Sequence, residues 1–439
     1  MLALVPSFIV VVLSVWLRRA FEPLLIGCLV GYLLISPSAF PNNFIDGLSQ
    51  TLQEKDTVWV ILVCGLYGSL IHLIIESGGV FAFGELALKY VNTRRKSLIT
   101  TWLMGVFIFI DDYMSALAVG VTMRKITDKY RVSRELLAYL VNATAAPICV
   151  LIPMTTWSIF CGKLLEDNKI VPQGEAFQGF LQTIPYMFYA WVAVIVAFLV
   201  SVNAFPLFSK MKQAENRVAN EIQTQKSIET APVNVLAKPI HFFLPLIVLV
   251  AATIYLDKDA LKGIFAGLTF TFLYYLGTRL MTFEQLSDGI FEGFKSMIYA
   301  LAILTMGYVL KKVGDKMELT PYVITSLKPY LSKTVLAAVI FVALSLISYL
   351  TAASWGLYLV AIPIVVPLAQ SLSANVYLSL GAVFSAGVVG SQSSFYSDAA
   401  VLTASSTECD GMEMFLTALP YNLLSITIAT ILFLMVGYF

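Results

Sequence analysis

The chain has 439 residues, 59% of them apolar and 13% charged, with a formal net charge of +1 and a mean hydropathy of +0.83. A soluble globular protein carries about 25% charged residues, so a soluble fold is excluded, and a charge near zero excludes the basic field that draws nucleic acid. Five cysteines without metal-ligand spacing, and two distant histidines (His72 and His241), argue against a disulfide framework or a structural zinc site.

Apolar runs of about 18 residues or more read as membrane helices. Here they fall near 2–17, 21–37, 58–76, 135–160 and 178–204. The first has no basic n-region and no small-residue cleavage site, so it reads as a membrane helix and not as a signal peptide. A soluble-looking stretch follows at 208–238, with Lys210, Lys212, Glu215, Arg217, Glu221, Lys226 and Glu229 ahead of Pro232. It reads as a charged, partly helical linker. A second series of runs lies near 239–256, 260–281, 296–313, 376–402 and 414–438. Before the third of these, Glu284, Asp288 and Glu292 recur every four residues, the polar stripe of an interfacial amphipathic helix. The expected fold class is an all-α polytopic membrane protein, multi-pass in the bilayer of a bacterial inner membrane.

Two further apolar regions, 97–125 and 333–371, are interrupted. Phe109-Ile110-Asp111-Asp112-Tyr113 breaks the first, and Tyr349-Leu350-Thr351-Ala352-Ala353-Ser354-Trp355-Gly356 breaks the second. Adjacent carboxylates at membrane depth are costly unless they face a cavity or a bound cation. Irregular backbone there must be buried in protein or line water. Both interruptions fit the tip of a re-entrant helical hairpin.

The two halves align. Tyr130 through Pro147 matches Ser371 through Gly387 at a shift of about 240 residues, which also sets the Asp111-Asp112 tip over Thr351-Ala352. Asp46-Gly47 and Asp288-Gly289 nearly correspond. The expectation is two inverted-topology repeats, 1–207 and 239–439, joined by the 208–238 linker. Each has about five transmembrane helices, one re-entrant hairpin and a discontinuous helix. Positive charge gives the orientation. An external N-terminus puts Arg18-Arg19, Arg94-Arg95-Lys96, the Arg124–Arg134 cluster and the linker in the cytoplasm, but leaves Lys311, Lys312 and Lys316 outside.

Within this frame the residues with ion chemistry stand out. Asp111 and Asp112, with Tyr113 and Ser115, offer the oxygen ligands that a hard cation such as sodium prefers, and a carboxylate in a partly dry cavity can hold a proton or a cation in turn. The competing reading is an ordinary interfacial helix end. Asn142-Ala143-Thr144-Ala145-Ala146-Pro147 lies mid-span, where Pro147 removes a backbone donor and frees a carbonyl. A packed proline kink is the alternative. In the second half, Ser385-Ala386-Gly387 runs on to Gly390-Ser391-Gln392-Ser393-Ser394-Phe395-Tyr396-Ser397-Asp398, too polar for a lipid-facing helix. It suits a second ion site at Asp398, or a small-residue helix interface. Thr351, Ser354 and Trp355, with Tyr113, Gln392, Ser393, Ser394 and Ser397, are the candidates for holding an organic solute. Glu76 reads as a solvated helix end and His72 as a packed or interfacial residue.

Phe109 to Tyr113, continuing through Arg124-Lys125-Ile126-Thr127-Asp128-Lys129-Tyr130-Arg131-Val132-Ser133-Arg134-Glu135 to Leu137-Ala138-Tyr139 and then Thr144 to Pro147, resembles the NhaC-type sodium/proton antiporter family. Ser397-Asp398 and Leu419-Pro420-Tyr421 are similar to the family's second motif. The resemblance implies inverted repeats with re-entrant hairpins and broken helices, often assembled as a homodimer. It implies one ion site around Asp111, Asp112, Ser115, Asn142 and Thr144, and a mirror site around Asp398 and its serines. Many relatives carry a histidine and a cysteine before the Ser/Asp motif; Ser391 to Tyr396 stand there in this chain. That departure leaves the cargo open.

The expected function is secondary active transport by alternating access: sodium (cation)/proton antiport, with Asp111 or Asp112 as the exchangeable carboxylate, both as sodium ligands, and Asp398 as a second site. The alternative is a sodium- or proton-coupled carrier of an amino acid or carboxylate. Sodium or protons serve as coupling ions, and no cofactor is expected. An enzyme would need a nucleophile–base pair or a metal set, and neither histidine offers one.

Overall fold

A computed structural model describes residues 2–17, 21–89, 91–220, 237–256, 259–319, 322, 331–352, 354–394 and 397–438. Arg18, Arg19, Ala353, Phe395, Tyr396 and linker residues 221–236 lie outside the described residues, as do the side chains of Lys125, Thr351 and Asp398.

The described residues are helical throughout, apart from turns and breaks. In the first half run α1 (Val5–Leu17), α2 (Phe21–Ile35), α3 (Phe40–Gln53), α4 (Lys55–Glu76), α5 (Gly79–Leu88), α6 (Arg94–Phe107) and α7 (Asp112–Lys129). They continue as α8 (Arg134–Thr144), α9 (Ala146–Leu151), α10 (Thr156–Asp167), α11 (Ala176–Thr183) and α12 (Phe188–Ser201). The linker contributes α13 (Ser209–Asn220). The second half has α14 (Ile240–Tyr255), α15 (Ala260–Gly277), α16 (Phe283–Ser296), α17 (Ile298–Lys316), α18 (Leu336–Thr351), α19 (Ser354–Ser371), α20 (Val376–Ser393), α21 (Asp398–Thr407) and α22 (Gly411–Tyr438).

Among the described residues, five stretches are long and apolar enough to cross a membrane: Thr57–Glu76, Arg134–Asp167, Ser354–Ser371, Val376–Ser393 and Gly411–Tyr438. Two bent pairs, α11 with α12 at 59° and α16 with α17 at 44°, raise the number to seven. The first bend has a local cause. Pro185 lies in a short 3₁₀ turn between the helices, where it removes a backbone donor.

The breaks that matter are set by side-chain caps. Thr93 caps α6 through Lys96 N, Ser133 caps α8 through Leu136 N, and Asn375 caps α20 through Leu378 N. Thr155 and Ser158 form a reciprocal capping box at the start of α10. The long span α8–α10 is thus interrupted twice, at Ala145 and at 152–155, with Pro147 tolerated in the first turn of α9. α20 and α21 break once, at 394–397, where Ser397 caps the new helix.

The amphipathic 284–295 segment differs from its expected role. Its carboxylates are exposed, but the opposite stripe, Leu286, Gly289 and Gly293, is buried against α4 instead of lying free at the interface. Glycine makes this contact: a Cβ on Gly293 would stand 2.5 Å from the Gly68 carbonyl oxygen. Ser69 Oγ donates across it to Ile290 O at 2.7 Å. His72 and Glu76, on the same helix, face each other at 3.4 Å with both side chains 40% exposed.

Candidate functional site

α6 and α7 are the arms of the first hairpin, and residues 108–111 are its non-helical tip. Asp111 has an extended backbone and caps α7: its Oδ1 accepts from Tyr113 N at 3.0 Å and Met114 N at 3.1 Å. Its other oxygen accepts from Thr156 Oγ1 at 3.2 Å. Asp112 Oδ1 accepts from Trp157 Nε1 at 3.1 Å. The pair is almost fully buried, at 6% and 3% exposure.

The tip is seated in the second break of the long span. Thr156 N donates to Ile110 O at 3.2 Å, and Cys149 Sγ donates to Phe109 O at 3.0 Å. The amide freed at the start of α10 therefore holds the hairpin backbone, and two helix N-termini, those of α7 and α10, converge on the carboxylates. Helix N-termini favour negative charge. Among the described ion pairs none uses Asp111.

The second hairpin, α18 and α19, turns at Ala352, whose φ of 53° is left-handed. Its polar side chains go to protein backbone. Ser354 Oγ donates to Gly387 O at 2.7 Å, and Tyr358 OH donates to Phe384 O at 2.9 Å. Trp355 packs on Phe160 and Trp157, with ring centroids 4.5 and 5.6 Å apart. Trp157 thus links the two tips: its N–H reaches Asp112 and its ring meets Trp355.

A third cluster forms where the broken helices cross. Asn142 Nδ2 donates to Gln392 O at 2.7 Å, and Gln392 Nε2 to Asn422 Oδ1 at 3.1 Å. Ser393 Oγ shares a hydrogen bond with Tyr189 OH at 3.2 Å. Ser397 Oγ donates to Ser391 O at 2.6 Å, and Asp398 follows as the first residue of α21. A cavity of about 10 Å³ is lined by Asn142, Gln392, Ser393, Ser394 and Asn422.

A far larger cavity, about 620 Å³, opens beside the first site. Lys55, Trp59, Tyr67, Met154, Ser158, Lys163, Glu166 and Lys262 are among its lining residues. Lys163 Nζ is 3.0 Å from Glu166 and 3.5 Å from Asp167. The cavity reaches Met154 and Ser158, which flank the break that holds Asp111.

The structure therefore brings Asp111 and Asp112 together with Thr156 and Trp157, and Asn142 together with Gln392, Ser393 and Ser394. Three expected ligands turn to protein partners. Thr144 Oγ1 donates to Leu140 O at 2.8 Å within its own helix and packs against Gly105 on α6. Ser354 and Trp355 are committed to packing between helices. Among the described residues, none of the expected solute ligands lines the large cavity. Ser115 is fully buried and its Oγ has no hydrogen-bond partner; Tyr113 is partly exposed. Trp157, Tyr189 and Asn422 escaped the sequence reading. Asn422 alone left a signal, as an amide inside the apolar run of α22.

Comparison with known proteins agrees with this architecture. The chain is 26% identical over 99% of its length to an uncharacterized protein of Haemophilus influenzae, 91% of which is covered. In fold it is similar to the YdaH transporter of Alcanivorax borkumensis, with a TM-score of 0.59 at 11% identity, covering 91% of this chain and 89% of that one. It is also similar to MtrF of Neisseria gonorrhoeae, which illuminates a class of antimetabolite efflux pumps, with a TM-score of 0.54 at 13% identity, 92% of this chain and 85% of that one. Residues 161–438 match the model of the Na+/H+ antiporter family. With most of its length matched, the chain belongs to the Na+/H+ antiporter family.

Proposed function

We propose that the protein exchanges sodium for protons across the bacterial inner membrane by alternating access, with Asp111 and Asp112 as the exchangeable carboxylates. The observation that carries this reading is the burial of that pair at a hairpin tip seated in a helix break, with Thr156 and Trp157 as its side-chain donors. Two adjacent carboxylates out of water repel one another, and a proton or a cation relieves the repulsion. Occupancy by one excludes need for the other, which is the elementary condition for antiport.

The reading includes two inverted repeats, 1–207 and 239–439, with a cytoplasmic linker at 208–238. Three basic residues that would then face outward are all engaged. Lys312 pairs with Glu54 at 2.7 Å, Lys311 donates to Asp167 O at 2.9 Å, and Lys316 lies over the Tyr32 ring at 5.3 Å. Their charge is thus partly spent on neighbours, which weakens their weight in the positive-inside balance.

A second reading, an organic cargo coupled to sodium or protons, is favoured by the cavity of about 620 Å³. Small-molecule sites span about 300–1,000 Å³. We assign that cavity to access from outside, because it stands against the acidic break and away from the second hairpin.

The test is flux in proteoliposomes under sodium and pH gradients, with a panel of ions and amino acids. Asp111→Asn and Asp112→Asn should each abolish sodium-driven proton movement while the protein still assembles. Unchanged flux in both would refute the assignment, and gradient-driven uptake of an amino acid would favour the second reading. A charge reporter at Asn220 should be cytoplasmic; an external position would overturn the topology.

A further inference from the structure

Asp111 and Asp112 are not among the described residues that line the cavity of about 620 Å³; Met154 and Ser158 are, on either side of the two residues that hold the pair. The wall between cavity and carboxylates is therefore the break at 152–155, and its backbone is unusual. Among the described residues, nine other than glycine have a left-handed φ. Eight of them, with φ of 52–58°, close a helix, where cap bonds offset the cost: past Arg131, for example, Val132 N donates to Thr127 O at 2.9 Å. Met154 is the exception, with φ of 73°. By then α9 has already ended in the extended Ile152, and Pro153 has no amide to give.

A left-handed backbone is disfavoured about tenfold for a residue with a side chain. It persists where neighbouring bonds over-determine it, and such outliers gather at sites that switch. Here Thr155 Oγ1 donates to Cys149 O at 2.7 Å, tying α10 back to α9. Thr155 N donates to Ser158 Oγ at 2.7 Å within the capping box. Beyond it, Thr156 N donates to Ile110 O and Thr156 Oγ1 to Asp111 Oδ2, both at 3.2 Å. The last is the one bond of this set that ends on a carboxylate. A proton or a cation on Asp111 competes for the oxygen that Thr156 reaches, so it loosens the segment that pins Met154.

We propose that Met154 is a positioning residue for the exchange: a strained hinge that swings Thr155 and Thr156 away from the hairpin tip and lets the cavity reach the carboxylates. It acts through Thr156 and not on the carboxylates directly. The proposal rests on the exchange reading for what is carried, and on the backbone of the break for the hinge itself. Strain held in the closed arrangement and shed in the open one favours opening by the factor that it costs, about tenfold.

The experiment compares Met154→Gly with Met154→Ala in the full chain. Both lose the thioether side chain, and alanine keeps the left-handed penalty that glycine escapes. Met154→Gly should therefore unfold at a higher temperature in detergent than Met154→Ala. In proteoliposomes it should nonetheless exchange about tenfold more slowly at saturating sodium, with the half-saturating sodium concentration unchanged. A residue that merely supports the fold would give the more stable variant equal or faster exchange. Unfolding of Met154→Gly at the same or a lower temperature than Met154→Ala would overturn the strain. Equal or faster exchange, or a change confined to the half-saturating sodium concentration, would overturn the hinge. Flux that stays intact in both Asp111→Asn and Asp112→Asn sinks the exchange reading alone. The cargo then carried is followed in the two Met154 variants, and the hinge stands or falls on whether glycine still slows it.

Discussion

Replacing Gly105 with alanine should destabilise the protein, although helix propensity alone says the reverse. In a helix interior, alanine is favoured over glycine by about 0.5–1 kcal/mol. A Cβ at Gly105 would lie 2.0 Å from Thr144 Oγ1 and 2.5 Å from Thr144 Cβ. Ordinary van der Waals contact begins near 3.4 Å, so α6 must withdraw from α8 by more than an ångström. Overpacking of this kind costs about 1–3 kcal/mol, which outweighs the propensity gain. Thr144→Gly alone loses a buried methyl and adds a helical glycine, for about 1.5–2 kcal/mol. Combined, the substitutions should couple favourably by about 1–3 kcal/mol, because the three atoms nearest the new Cβ all belong to the Thr144 side chain. The assay is thermal unfolding of the detergent-solubilised chain, followed by tryptophan fluorescence, for the wild type, both single variants and the pair. Additive single effects, or a stabilised Gly105→Ala, would refute the contact. Since α6 carries the tip that Thr156 N and Cys149 hold, the same variant should slow exchange, and Thr144→Gly should restore part of it.

Trp157→Phe keeps the ring against Trp355 but removes the N–H that reaches Asp112. A hydrogen bond to a charged group contributes about 1.5–3 kcal/mol, so the sodium concentration for half-maximal exchange should rise about tenfold at neutral pH. The difference should narrow at alkaline pH, where protons no longer compete; an unchanged sodium dependence at every pH would count against the role of Trp157. Cys409, in the turn before α22, should resist maleimide. Burial, reinforced by the Glu135 carboxylate and then Asp410 and Glu413, pushes its thiol up to about 12, leaving about a thousandfold less thiolate at neutral pH than an ordinary cysteine. The other cysteines, Cys28, Cys64, Cys149 and Cys161, are buried as well. Native protein should therefore label only after denaturation, and rapid labelling of the native state would contradict the packing around that turn.

What the sequence made legible was whatever is expensive in a bilayer. Asp111-Asp112 in an apolar run, Pro147 in a span and the serine-rich stretch at 385–398 each announce a violated rule, and the structure puts a hairpin tip or a helix break at each. Partners of these residues left weaker traces, because an ordinary residue becomes a ligand through long-range geometry alone. Trp157 lies 45 residues from Asp112, and Asn142 lies 250 residues from Gln392. No local period or spacing joins such pairs. Thr144 shows the complementary case. A threonine beside a helix break looks like a ligand, but its hydroxyl can always return to a carbonyl one turn earlier, and here it does. The large cavity was invisible because its walls come from α4, α10, α11, α14, α15 and the turns beside them, segments that share no motif.

The likeness of the halves has a limit that bears on mechanism. In the first half the hairpin arm is small and the broken helix carries the hydroxyl, Gly105 against Thr144. In the second half the arrangement is exchanged: Ser348 on the hairpin meets Gly390 on the broken helix, where a Cβ would stand 1.9 Å from Ser348 Oγ. Both solutions bring hairpin and broken helix to backbone distance, so the joint is shared while its chemistry is not. The tips diverge further. The first presents two carboxylates to α10, whereas Ser354 and Tyr358, just past the second tip, give their hydroxyls to the carbonyls of α20. A carboxylate can change its charge and let go of its donor; a hydroxyl donating to a backbone carbonyl cannot. On the proposed exchange reading, protons and cations therefore trade places at the first joint. The second joint, with Trp355 pressed on Trp157, is placed to feel that exchange through a single indole.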